Sequence, residues 1–166
     1  RSFTRGGSEA HSAELEYHFR QGQSALPDNG SEKAIHYGLI AGQTALTGFD
    51  YEQAVGYFQR GIDATASPEF EDKRGDFYLG MADASNPFGD PSGVVELLNL
   101  AFNAYVHVGD TAGAISAAAM GIFRIARQAP EQIDLSKKGL DLVEPGSVDA
   151  ARVLNEYGVA LGVGNL

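Results

Sequence analysis

The side chains best suited to acid–base or metal chemistry are four histidines, and none has the spacing of a known kind of site. His11 and His18 are seven residues apart and could share a helix face, whereas His36 and His107 stand alone. No pair forms the HExxH arrangement of a zinc site, and the absence of cysteine excludes disulfides and thiolate metal ligands. The pattern favours ordinary surface or helix-packing histidines, and we expect no metal and no cofactor.

Carboxylates and serines give no stronger catalytic signal. Four acidic residues fall together at a predicted helix start, namely Glu69, Glu71, Asp72 and Asp76. Carboxylates in a first turn are stabilised by the helix dipole, so a solvated helix start explains this run more simply than a catalytic pair. Ser92, Ser116 and Ser136 have no histidine–acid arrangement near them in sequence, although residues far apart can meet in space. We expect a protein that is not an enzyme, with a small helical enzyme as a remote alternative.

Charge and composition narrow the possible partners. The formal net charge of the 166 residues is −10, which opposes attraction to nucleic acids and anionic lipid. No apolar run approaches the roughly 20 residues that cross a bilayer, and the first residues lack the apolar stretch of a secretory signal. We therefore expect a cytoplasmic protein whose present segment contacts neither membrane nor nucleic acid.

The spacing of apolar residues predicts an all-α fold of about 7–8 helices. In one predicted helix the stripe consists of Ile35, Leu39, Gly42 and Leu46. In the next it consists of Tyr51, Ala54, Val55, Phe58 and Ile62. The intervening TGFD provides Gly48 to end the first helix and Asp50 to cap the second, so the two helices are antiparallel neighbours.

Turn residues predict the other boundaries. A short amphipathic helix covers AELEYHFRQ, and a loop around LPDNGSE ends with Ser31 as the cap of the next helix. Pro68 begins a helix that SNPFGDP ends, and the following helix ends at HVGD. A further helix is predicted over Asp110–Arg127, and another has Pro130 in its first turn and extends towards Leu142. After EPGS the last helix runs from Val148 to about Leu161.

Helix pairs recur about every 35–40 residues, which raises the question of an internal repeat. The series Gly42, Ala45, Ala54, Phe58 and Gly61 resembles the small–aromatic–small pattern of a tetratricopeptide repeat. The resemblance implies an α-solenoid of antiparallel hairpins, with Gly61 where neighbouring helices approach closely. Gly56 falls at no such position. Weaker echoes of the pattern occur at Leu79–Gly80 and at Leu154, Tyr157, Gly158 and Leu161.

A narrower resemblance covers the first part of the chain. The order AELEYHF, a Gly/Asn loop, then EKAIHYGLIAGQTALTGFDYEQAVGYFQRGI is similar to the helical-repeat region of large bacterial signal-transduction ATPases, including LuxR-family transcriptional regulators. It implies a sensing or interaction region. The phosphate loop and basic recognition helix of that group would lie outside these residues. We expect one helical-repeat domain over residues 1–166, with residues 1–12 as a flexible leader, as a fragment of a larger regulator.

The repeat resemblance also implies a binding groove, because the first helices of successive hairpins line the concave side of such a solenoid. Its groove-facing positions in this chain are His36, Leu39, Gln43, Leu46, Thr47, Arg74, Phe77 and Met81. We expect a protein or peptide partner, or a small inducer, in this groove. The alternative to a regulator segment is a stand-alone repeat adaptor that binds a peptide tail. The sequence leaves the ligand and the oligomeric state open.

Overall fold

The computed structural model describes residues 11–21, 30–122 and 131–163, and every regular element in these ranges is helical. Eight α-helices are present there: α1 Ser12–Gln21, α2 Gly30–Thr47, α3 Tyr51–Ala64, α4 Glu71–Ser85, α5 Pro91–Val108, α6 Thr111–Ala118, α7 Glu131–Leu140 and α8 Val148–Val163. A 3₁₀ turn, Pro68–Phe70, precedes α4. The all-α prediction is confirmed. None of these helices is long and apolar enough to cross a membrane.

The chain divides into two compact units, Arg1–Ala84 and Ser85–Leu166. The first unit contains α1 to α3 and almost all of α4, and the second contains α5 to α8. The continuous solenoid and the single domain over residues 1–166 stay predictions.

The connection between α2 and α3 has the tight turn that its sequence predicts. The Asp50 carboxylate accepts a hydrogen bond from the Gln53 backbone N–H at 3.2 Å, and the Asp50 N–H donates to the Ala45 carbonyl at 2.9 Å. The left-handed residue of the turn is Phe49, with φ 60°, and not the neighbouring Gly48. Phe49 is 76% exposed, so burial of its ring does little to offset the strain of this backbone conformation.

Replacing Phe49 with glycine is expected to raise the free energy of unfolding by about 0.5–1 kcal/mol. Left-handed backbone is strained for a residue with a Cβ and costs glycine nothing, and this gain exceeds the extra freedom that glycine has in the unfolded chain. Urea denaturation followed by circular dichroism measures the change. Tyr51→Ala is the control for loss of the ring contact between Phe49 and Tyr51. Lower stability of Phe49→Gly would show that the ring contact outweighs the backbone strain.

Two phenylalanine rings dominate the core of the first unit. Phe58 and Phe77 are fully buried, and their rings meet edge to face with centroids 6.5 Å apart. A Cβ at Gly42 of α2 or at Gly80 of α4 would lie under 3.0 Å from the Phe58 ring. The same ring therefore touches both helices, which makes the two glycines necessary for the packing.

The two glycines within α3 have different surroundings. A Cβ at Gly61 would lie under 3.0 Å from the Phe77 ring, so the predicted close approach at Gly61 is confirmed. A Cβ at Gly56 would meet only the tip of Arg60, with Nη1 at 3.4 Å. Gly61 is thus required by packing, whereas Gly56 is not.

Helix α1 is held to the α2–α3 hairpin by a largely buried carboxylate. The Glu16 side chain is 7% exposed and lies 3.6 Å from Nε of Arg60, whose guanidinium sits 4.6 Å from the Tyr57 ring centroid. The Cγ of Glu16 would be 3.6 Å from a Cβ at Gly38, so α1 and α2 lie close together at this level. The amphipathic helix predicted for AELEYHFRQ is confirmed.

In the second unit small residues again let helices come close. The Tyr105 ring of α5 fills the space where Gly113 of α6 lacks a side chain, and Gly139 of α7 lies against Ala118 and Val153. Leu98, Leu135 and Val153 are fully buried. Gly109, with φ 78°, ends α5, and the Asp110 carboxylate accepts from the Gly113 N–H at 2.9 Å to begin α6.

Several predicted boundaries differ from those observed. α6 ends at Ala118 instead of reaching Arg127, and the carbonyl of Gly121 accepts a hydrogen bond from the Asn86 amide at 2.8 Å, which fixes a non-helical exit. Ser31 lies inside α2, which begins at Gly30, so it is not the cap. α7 ends at Leu140, before Leu142. Residues 1–10, 22–29, 123–130 and 164–166 lie outside the described ranges, as do the predictions made for them.

Candidate functional site

An open cleft of about 770 Å³ lies in the first unit, between the first half of α2 and the start of α4. This volume falls within the roughly 300–1,000 Å³ of small-molecule sites. The α2 wall consists of Glu32, Lys33, Ile35, His36, Tyr37 and Leu39. The opposite wall consists of Glu69 and Phe70 from the 3₁₀ turn and Asp72, Lys73 and Phe77 from α4.

The second wall is positioned by hydrogen bonds at the end of α3. Thr65 is fully buried, and its hydroxyl donates to the carbonyls of Gly61 at 2.9 Å and Ile62 at 3.1 Å. Arg74 of α4 donates from Nε to the Thr65 carbonyl at 3.0 Å and from Nη2 to the same oxygen. These bonds tie α4 to the segment before the 3₁₀ turn.

Arg74→Met is expected to lower the free energy of unfolding by about 1 kcal/mol, because the buried Thr65 carbonyl loses its charged donor. Lys73→Met, one residue earlier, should change it by less than about 0.5 kcal/mol, since Lys73 makes only an exposed ion pair. Chemical denaturation of both variants checks this difference. Equal losses in the two variants would contradict the anchoring role of Arg74.

The floor of the cleft is apolar. Ile35 and Phe77 are buried, and Leu39 and Phe70 pack against the same core while remaining partly exposed. Phe77 is 0% exposed, so it closes the floor from beneath without offering surface to a ligand. An apolar side chain entering the cleft would meet Leu39 and Phe70 first.

The rim is charged. Lys73 and Asp72 form an ion pair at 2.8 Å with both side chains about half exposed. The hydrogen bond and charge of Asp72 raise the pKa of Lys73, and the charges of Asp76 and Glu32 add to the effect. Glu32 belongs to α2 and Lys73 to α4, so the two walls of the cleft attract each other through these opposite charges.

The titratable groups of the cleft include a histidine and a tyrosine. His36 is its one histidine, and the rings of His36 and Tyr37 lie edge to face at 5.2 Å. Among residues 11–21, 30–122 and 131–163 no group of three or more His, Cys, Asp or Glu side chains could hold a metal ion. The described lining offers charged, aromatic and apolar groups to a ligand.

The structure brings together three of the eight groove residues predicted from the sequence. His36 and Leu39 line the cleft, and Phe77 lies beneath it as a core residue. The Phe77 ring fills the space over Gly61 and is fully buried, and its contact with a ligand stays a prediction.

The other five predicted residues lie away from the cleft lining. Leu46 and Met81 pack partly buried on the core. Gln43 is exposed, and its carbonyl accepts a hydrogen bond from the Thr47 hydroxyl at 2.9 Å. Arg74 is bound to the Thr65 carbonyl.

The sequence does not predict the remaining lining residues as groove residues. Glu32 and Lys33 lie one turn before His36, so helical spacing places them on the same face as His36. This spacing could have identified them from the sequence. The sequence predicts Glu69 and Phe70 at the start of a helix, whereas they belong to a separate 3₁₀ turn.

Comparison with known proteins gives no significant match to a family model, a curated protein or a solved structure. The cleft is therefore the feature from which a function can be inferred.

Proposed function

We propose that this chain is a non-catalytic helical-repeat region of a bacterial transcriptional or signalling regulator, and that it binds a protein segment or a small inducer in the α2–α4 cleft. The observation that carries the proposal is the cleft, which combines an apolar floor with a charged rim. Ligand sites commonly combine apolar walls with a few polar groups in this way. We place the protein in the cytoplasm.

The packing of α2, α3 and α4 supports the repeat resemblance on which the regulator proposal depends. Phe58 of α3 contacts Gly42 of α2 and Gly80 of α4, and Gly61 accommodates Phe77. Small residues opposite aromatic ones are what the repeat pattern implies at these positions. A stand-alone adaptor that binds a peptide is the second candidate, because a second cavity shares Glu69 and Phe70 with the cleft.

A fluorescent label tests whether the cleft binds ligands. The sequence has no cysteine, so His36→Cys gives a single attachment point for the label at the cleft. Asn103→Cys gives a control at an exposed position of α5. Sugars, nucleotides, amino acids and peptides are screened by thermal shift. We expect any ligand that raises the melting temperature to change the emission at position 36 and leave position 103 unchanged. Stabilising ligands that leave position 36 unaffected would contradict the cleft assignment.

The regulator assignment has its own test in the complete reading frame. A phosphate loop encoded before these residues and a helix-turn-helix encoded after them are the expected result. Their absence would favour the adaptor.

A further inference from the structure

We infer that the occupant of the cleft is a positively charged protein segment in which lysine or arginine alternates with apolar residues. This inference rests on the proposed function and adds the chemical class of the partner. It follows from three properties of the site: its extent, its unbalanced charge and its apolar surface.

A second cavity adjoins the cleft at the 3₁₀ turn. It has a volume of about 400 Å³ and is lined by Ser31, Arg60, Asp63, Ala64, Ser67, Glu69 and Phe70. Glu69 and Phe70 also line the main cleft, so the two cavities adjoin on either side of the turn. Two adjoining cavities suit an extended segment better than a compact small molecule.

Most cationic groups of the groove are already engaged by the protein's own groups. Arg60 pairs with Glu16 at 3.6 Å and lies over Tyr57, and Lys73 pairs with Asp72 at 2.8 Å. Lys33 also has an interaction of its own. An anionic ligand would have to compete with these contacts.

Two carboxylates of the groove remain available. Glu32 and Glu69 are exposed, and neither has an ion pair within 4.0 Å among the described residues. Asp63 of the second cavity accepts only a neutral donor, the Gln59 amide, at 3.1 Å. The net charge of −10 adds long-range attraction for a cationic partner. Glu32 and Glu69 are therefore the expected contacts for its basic side chains.

The apolar surface between these carboxylates accommodates the remaining side chains. Tyr37, Leu39 and Phe70 line the cleft and are partly exposed. Aromatic faces also attract cations, so Tyr37 and Phe70 suit the stems and heads of lysine or arginine. The groove thus offers contacts to both types of side chain in the proposed segment.

The test uses the full chain and three labelled peptides of about twelve residues, with the repeating units Lys-Leu-Gly, Glu-Leu-Gly and Gln-Leu-Gly. Fluorescence anisotropy gives Kd for the wild type and two double variants. Glu32→Gln/Glu69→Gln removes the available carboxylates, and Glu52→Gln/Glu96→Gln removes the same charge from exposed positions outside the groove. Thermal melts confirm that each variant is folded.

We expect the lysine peptide to bind best and its Kd to rise about five- to tenfold in Glu32→Gln/Glu69→Gln, against less than about twofold in the control. Raising ionic strength from about 0.05 to 0.5 M should also weaken binding. Equal affinity of all variants for the lysine peptide, or no binding of it at all, overturns the inference. If the glutamate or glutamine peptide instead changes the label at His36→Cys, the charge class is wrong and the proposed function stands. If no ligand in either screen changes that label, the proposed function fails as well.

Discussion

Gly61→Ala is expected to lower the free energy of unfolding by about 3 kcal/mol, although alanine is the better helix former by about 1 kcal/mol. The added methyl group would lie under 3.0 Å from the Phe77 ring. That ring is fully buried and packs edge to face against Phe58, so moving it would disturb the core of the first unit. Overpacking therefore outweighs the gain in helix propensity.

Gly56→Ala in the same helix is the matched control, and it should raise the free energy of unfolding by about 0.5–1 kcal/mol. Its methyl group meets only Nη1 of Arg60 at 3.4 Å, the mobile end of a long side chain. Urea denaturation of both variants gives the comparison. Shifts of the same sign would contradict the assignment of Gly61 as a packing position.

A double variant separates overpacking from other effects at Gly61. Phe77→Val removes the ring atoms nearest to the new methyl group, so Gly61→Ala should cost much less in the Phe77→Val background than in the wild type. We expect a coupling energy of about 1–2 kcal/mol, within the range for residues in contact. If the costs of Gly61→Ala and Phe77→Val simply add, the destabilisation by Gly61→Ala does not come from contact with the Phe77 ring.

The α2–α3 hairpin could be predicted because its signals are local. The stripe spacing, the Asp50 cap and the short turn all lie within about 30 residues, so each depends on neighbours that the sequence displays. Even in this hairpin the left-handed residue is Phe49 and not the adjacent Gly48. The turn is exposed, so it has room for the Phe49 side chain. The end of α6 could not be predicted, because it involves a hydrogen bond between Gly121 and the distant Asn86.

The cleft was only partly predictable for a related reason. The repeat resemblance indicated α2 and α4, which line the cleft, but also selected residues in their second halves, such as Gln43 and Met81. There the Phe58 ring occupies the space between Gly42 and Gly80. The opening lies at the first halves of the helices, where the 3₁₀ turn forms part of the wall. The apolar pattern of α2 or α4 alone does not show how far a buried ring from α3 extends between them.

Phe58→Ala follows from the same packing and is expected to lower the free energy of unfolding by about 3–5 kcal/mol, the usual cost of truncating a buried phenylalanine. The ring is 0% exposed and lies between the glycines of α2 and α4, whose backbones cannot close the gap without moving both helices. Leu154→Ala on exposed α8 should cost less than about 1 kcal/mol and is the control. A loss below about 1 kcal/mol for Phe58→Ala would show that the ring is not the shared contact. If the variant remains folded, the label at His36→Cys should also report altered surroundings, because the same ring limits how far the cleft extends along α2.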